Sequence, residues 1–200
     1  MISNEALAFF MEQLPSADAK DDLIREWKNI LVVQRLEEDT LLLSPGSRAK
    51  DLWFVLGGIV SESFVEDGEL CLCHLYRRGD MVISLAGHIR DLEQTSVLTA
   101  HGGTTLLCAK AVDLERLIVR NPKIAEQVNR IVLDRPDASL ELLKLRNLTV
   151  RDRIIAFYKR FPEVRTRQIY LSHLLIASYL NVSLNAFHKH YRQLQEEEIL

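Results

Sequence analysis

Residues Ile176 to Leu194 read IASYLNVSLNAFHKHYRQL. An apolar run holding one small residue, Ala177, leads to a short polar break at Asn181-Val182-Ser183. A second run follows, in which polar and basic side chains share space with Phe187 and Leu194. Ser183 is a residue type that caps helices, because its hydroxyl accepts a hydrogen bond from a free backbone N–H. Counting from it, Asn185, His188, Lys189 and Arg192 fall at i, i+3, i+4 and i+7, which puts all four on one helical face, opposite Phe187 and Leu194. Two surface helices of a globular protein have such a pattern, and so have two helices built to lay one of them in a groove of DNA.

Charge separates the two readings. The net charge is -3, but it is unevenly spread. Residues 1–143 carry 15 Lys and Arg against 23 Asp and Glu, whereas residues 144–195 carry 10 against two, Asp152 and Glu163. The acid returns at Glu196-Glu197-Glu198. A long acidic part joined to a short basic one implies that only the second meets a polyanion. Other functions are excluded more simply. No segment reaches the ~18 uninterrupted apolar residues of a membrane span, so no membrane partner is expected. The start, MISNEALAFFMEQLPS, lacks the basic region of a secretory signal. Three cysteines do not make a disulfide framework, and a reducing cytoplasm is the expected location.

The first two thirds read as an all-β unit framed by helices. Leu7, Phe10, Met11 and Leu14 recur at helical spacing across residues 4–14, before Pro15. From Thr40 the rhythm changes to short strands between turn signals: 40–43, 52–56, 59–65 and 69–76. Glycines at 46, 58, 68 and 79 recur at the spacing of a sandwich or jelly roll, and Asp67-Gly68 marks a hairpin. Apolar runs at 81–85 and 95–109 complete roughly eight strands. A short helix over 112–119 stops at Asn121-Pro122. A longer helical pattern then runs to about Leu148 through Ile124, Val128, Ile131, Val132, Leu140, Leu143 and Leu145, with Pro136 expected to kink it. A long helix with a narrow apolar stripe suits pairing with a second copy in a symmetric dimer, or packing back on its own sandwich.

The order Phe54-Val55-Leu56-x-Gly58, Asp67-Gly68, Gly79-Asp80, Ala100 and Ile176-Ala177-Ser178-Tyr179-Leu180 resembles the Crp/Fnr regulators over nearly the whole chain. The stretch from Arg151 through Phe161-Pro162-Glu163 to Leu194 looks most like their Bacteroidetes-type members. The resemblance implies an α+β fold: a jelly-roll sensor of the cyclic-nucleotide-binding type over 1–121, a dimerisation helix over 122–148 and a helix-turn-helix DNA-binding domain over 149–200. It implies a homodimer on double-stranded DNA that regulates transcription, with RNA polymerase as a further partner. Ala177 then stands where the second helix crosses the first, and Asn181 where the family usually has Gly, in a left-handed turn that Asn also tolerates. Ile176, Leu180, Val182 and Phe187 fill the shared core. Asn185 suits adenine, Lys189 and Arg192 suit guanine, and Leu184 suits a thymine methyl, while His188 shares their face. His173 and the Ser183 backbone are expected at phosphates. The family's two-stranded wing has no counterpart after Leu194, where the sequence runs to Glu198-Ile199-Leu200, so fewer phosphate contacts and strong salt sensitivity are expected.

The effector region departs from the family. Alignment on Gly79-Asp80 places Ile83-Ser84 where cyclic-nucleotide binders carry Gly-Glu for the ribose, and alignment on Ala100 places Gln94-Thr95 where they carry Arg-Ser/Thr for the phosphate. Each lost charge-assisted hydrogen bond is worth roughly 1.5–3 kcal/mol, so cyclic AMP should bind at least about a hundredfold more weakly. No cofactor is expected; the cavity holds another small-molecule effector or its own side chains.

Other chemical signals are thin. On a regular strand Cys71 and Cys73 share one face and His74 points away, and no fourth metal ligand is evident. His88 and His101 stand alone in loops, and no nucleophile–base or metal-binding motif marks an enzyme. Two functions remain: a DNA-binding regulator with a diverged sensor, or a small-molecule-sensing or protein-interaction module whose wing-less helix-turn-helix no longer reads DNA.

Overall fold

The computed structural model describes residues 2–14, 21–47, 51–83, 93–133 and 138–200. Two helices come first, α1 (Asn4–Glu12) and α2 (Asp21–Ile30). Eight strands follow: β1 (Leu31–Leu36), β2 (Thr40–Leu43), β3 (Leu52–Gly57), β4 (Val60–Glu66), β5 (Glu69–Tyr76), β6 (Met81–Ile83), β7 (Val97–Ala100) and β8 (Thr104–Ala109). Seven helices complete the described chain: α3 (Ala111–Arg120), α4 (Pro122–Leu133), α5 (Ala138–Arg146), α6 (Val150–Arg160), α7 (Pro162–Arg165), α8 (His173–Leu180) and α9 (Leu184–Glu196).

The strands form two antiparallel four-stranded sheets, ordered β1-β8-β3-β6 and β2-β7-β4-β5. Such crossing between sheets is a jelly roll, the all-β part of the expected α+β fold. Strand β3 shows why its sequence is apolar throughout. Leu52 and Phe54 point to one side, into a cluster with Phe10, Trp27, Leu114 and Ile124 of the helices, while Trp53 and Val55 point between the sheets. A strand covered on both faces cannot alternate with polar residues. Trp27 donates its ring N–H to Gln127 at 3.0 Å inside this helical layer, tying α2 to α4. Gly58, at φ +85°, is required where it stands: a Cβ there would lie 2.6 Å from the Thr104 Cα. Thr104 fills that space and bonds the backbone N–H and carbonyl of Ile59 at 3.1 and 3.0 Å.

Several expectations change. Strand β1 and helix α2 lie in a stretch that sequence patterning left unassigned. The run 95–109 is two strands, β7 and β8, divided by a turn through Gly102 and Gly103. The long helical pattern is described as α4 and α5, with Pro136 outside the described residues. Strand β5 carries a bulge: Glu62 pairs with His74 but Ser63 pairs with Leu72, so that Cys73 is the extra residue of the strand. The bulge breaks the strict alternation behind the expectation that Cys71 and Cys73 share a face. Because of it, Leu72 and Leu75, three apart, both join the core of the C-terminal helices.

That core crosses the boundary expected at residue 149. It combines Ile59, Leu72 and Leu75 of the jelly roll with Ile154, Phe157, Phe161, Ile176, Leu180, Phe187 and Leu194. The Leu72 N–H donates to the Ser178 hydroxyl at 3.0 Å, so α8 is pinned to β5 by polar as well as apolar contact.

Candidate nucleic-acid interface

Helix α8 starts because the Ser172 hydroxyl accepts from the Leu175 N–H at 3.2 Å. It stops because Asn181 turns left-handed, at φ 52° and ψ 54°. The Asn181 N–H then reaches the Ser178 carbonyl and the Val182 N–H the Ala177 carbonyl, both at 3.0 Å, which satisfies two otherwise orphaned helix-end acceptors. Two residues later the Ser183 hydroxyl caps α9 by accepting from the Ala186 N–H at 3.2 Å. The break is thus a tight turn held at both ends, and it fixes α9 against α8. Ile176, Ala177, Leu180 and Phe187 are all buried beneath it.

On α9 Asn185, Lys189 and Arg192 are exposed, and so is its cap Ser183. His188 is half-buried, and so is Leu184, which packs against the domain core and leaves less surface for a thymine methyl. His173 is also half-buried, with its ring centroid 4.9 Å from Tyr191, 5.1 Å from Phe187 and 5.3 Å from His188. Burial, reinforced by His188 and Arg167, holds its pKa below the ordinary histidine value. A neutral ring packed among aromatics acts first as a spacer between α8 and α9. Tyr191, half-buried and stacked on Phe187 at 5.6 Å, packs against the core and was passed over in sequence reading.

Sequence reading also passed over Arg153. Its Nε donates to the Leu148 carbonyl at 2.9 Å, and Nη1 to those of Leu180 and Asn181 at 3.0 and 3.3 Å. Nη2 reaches the Arg146 carbonyl. One guanidinium therefore joins the C-terminal ends of α5 and α8. No local pattern announces this, because the acceptors are backbone atoms 27 and 28 residues away in one direction and 5 and 7 in the other.

The last residues fold back on the same domain. Glu198 is left-handed at φ 57°, and the Ile199 N–H bonds the Leu194 carbonyl at 2.9 Å, closing α9 as Asn181 closes α8. Arg151 pairs with Glu197, and Arg165 donates to the Ile199 carbonyl at 3.0 Å. Three of the domain's arginines, Arg151, Arg153 and Arg165, thus serve its own architecture, whereas Lys189 and Arg192 stand out from it.

The expected effector residues occupy different surroundings. Ile83 is buried in the helical layer with Leu52 and Phe54, and Thr95 is exposed. Ser84 lies outside the described residues, as does His88. Gln94, 7 % exposed, donates through its side-chain amide to the Ser96 hydroxyl, which donates to Glu62 at 2.7 Å. The buried Tyr76 hydroxyl donates to the other Glu62 oxygen at 2.6 Å. A carboxylate thus takes up the hydroxyls around Gln94, where a cyclic-nucleotide binder would carry a cation. His101 is likewise structural: it is 2 % exposed and bonds Asp39 at 3.1 Å and Ser61 at 2.9 Å. No group of three metal-ligating side chains occurs among the described residues.

No family model and no curated protein sequence matches this chain. Solved structures do. A Eubacterium rectale protein assigned to the Crp/Fnr transcriptional regulators superposes with a TM-score of 0.68 at 16% identity, over 93% of this chain and 88% of that one. FixK2 from Bradyrhizobium japonicum gives 0.63 at 17%, over 86% and 87%. CLP from Xanthomonas campestris gives 0.60 at 18%, over 90% and 93%. These superpositions extend over 86% to 93% of the chain, so the chain has the fold of the Crp/Fnr regulators.

Proposed function

We propose that this protein is a sequence-specific regulator of transcription that binds double-stranded DNA as a homodimer. The observation that carries this reading is α9: a helix capped by Ser183, aimed by the left-handed Asn181, and exposing Asn185, Lys189 and Arg192 together. Those side chains offer donors and acceptors that match base edges, each good bidentate pair contributing about 1–3 kcal/mol of discrimination. They lie in the one strongly basic stretch of an acidic chain. The structurally similar proteins agree with this reading, and CLP is a c-di-GMP-responsive global regulator of gene expression. Helices α4 and α5 supply the pairing surface between subunits. RNA polymerase is the natural further partner on the promoter, and catalysis forms no part of the reading.

The sensor has diverged. With Glu62 accepting from Tyr76 and Ser96, a ligand phosphate placed beside Gln94 would meet a negative charge instead of a guanidinium. Cyclic AMP is therefore not the effector, and calorimetry at micromolar cyclic AMP should give no saturable heat.

The decisive experiment selects duplexes from a random pool and measures binding at two salt concentrations. A shared two-fold motif should emerge. Asn185→Ala should relax the preference at one position, and Lys189→Ala should weaken the selected sites by about tenfold or more. Selected duplexes without a motif, together with unchanged binding by both variants, would refute the reading and favour a sensing or protein-interaction module.

A further inference from the structure

Where α5 ends and the C-terminal domain begins, a cleft of about 430 Å³ opens beside the Arg153 clamp. Its floor is aromatic. Phe157, Phe161 and Tyr179 are 1 %, 0 % and 4 % exposed, with ring centroids 5.0 to 6.2 Å apart. Leu145, Leu148 and Ala156 form the walls, and two cations, Lys144 and Arg160, belong to the same lining. Leu148 is 41 % exposed, and its carbonyl is held by Arg153, so the wall it makes is already in place.

A cleft of this volume with apolar walls and a few charged groups has the make-up of a small-molecule site. Its composition restricts the ligand. Among the described residues the lining carries two positive charges and no carboxylate, which favours an anion. Three rings and three aliphatic side chains would waste the hydration of a bare phosphate, which favours an apolar body. We propose that the cleft binds a small amphipathic carboxylate, with its chain or ring on Phe157, Phe161 and Tyr179 and its charge at Lys144 and Arg160. The walls come from α5 on one side and α6 and α8 on the other, so such a ligand touches both the long helical segment and the helix pair.

The test is calorimetric titration of the full-length protein with decanoate, using 1-decanol as the neutral counterpart. No DNA is present, so the outcome is separate from that of the DNA-binding reading. Wild type should bind decanoate saturably, about one per subunit and at least tenfold more tightly than decanol. The exposed Lys144→Glu should lose that preference while its melting temperature stays unchanged. Ala156→Trp should block the cleft, and if it fails to fold, Lys144→Glu still decides. Absence of decanoate binding, or equal affinity for decanoate and decanol in both wild type and Lys144→Glu, would overturn the proposal. So would a dimer that Leu148→Glu converts to monomer without decanoate, because a second copy would then cover the cleft.

Discussion

Arg153 offers the most quantitative test of how the C-terminal domain is held. A helix end leaves up to four carbonyls without intrahelical partners, and a cation there also meets the negative end of the helix dipole. Arg153 serves two such ends at once, with bonds to the carbonyls of Arg146, Leu148, Leu180 and Asn181. A hydrogen bond to a charged group is worth about 1.5–3 kcal/mol, but an exposed carbonyl recovers most of that from water. Only the bond to Leu180 is part-buried; the others are exposed. Counting that bond at about 1.5 kcal/mol and the charge–dipole terms at about 0.5 kcal/mol per helix end, Arg153→Ala should cost about 2–3 kcal/mol. For a chain of this size that lowers Tm by roughly 5–10 °C. Arg153→Lys keeps the charge but not the planar fork, and should restore less than half of the loss. Urea unfolding of the three proteins gives the comparison. Full rescue by Lys would show that charge alone matters, and a loss below about 0.5 kcal/mol from Ala would remove the clamp from the account altogether.

Three further outcomes follow from named contacts. Asn181 sits in the left-handed region, so Asn181→Gly should stabilise by a few tenths of a kcal/mol and Asn181→Ala should destabilise by about 1 kcal/mol; thermal melts of both check the sign. His101 has its pKa held below the ordinary 6.5, chiefly by burial, with Asp39 partly offsetting the shift. The unfolded chain therefore takes up a proton at higher pH than the folded one. Stability should be full above about pH 6.5 and fall as the pH drops through the folded value, and His101→Gln should flatten that slope in Tm measured from about pH 7.5 to about pH 5. Burial raises the Cys108 thiol to about 11, so in the native protein alkylation should reach Cys71 and Cys73 well before Cys108. Equal rates at all three, followed by peptide mass spectrometry, would contradict the packing between the sheets.

The helix pair was legible in the sequence because its determinants are local. Ala177, Asn181 and Ser183 lie within seven residues, and each answers a backbone requirement that its residue type states openly. The hairpin turn at Asp67-Gly68 and the turn between sheets at Gly79-Asp80 were legible for the same reason. Strand β1 was not: its partners in β8 lie more than 60 residues away, and Val32 is exposed, so no clean alternation marks it. Gly102-Gly103 carried the signal that divides β7 from β8, but the continuous apolar run around it masked the turn. The effector residues were placed by alignment on short motifs. That method could not reveal that Ile83 faces the helices while Gln94 joins Glu62, a residue of β4 that no motif singles out. Arg153 and Ser178 act through distant backbone groups, and a single sequence does not show such pairings.

The bulge at Cys73 has a bearing on how this molecule can be taken apart. By turning both Leu72 and Leu75 outward it makes the sandwich a lender of three side chains, Ile59 included, to the helices beyond it. A fragment cut at residue 149 would leave behind part of its own interior, and a graft of those helices onto another jelly roll would inherit the same deficit. The C-terminal helices and the jelly roll are thus parts of one folding unit, and any exchange of either part has to carry the bulged strand along.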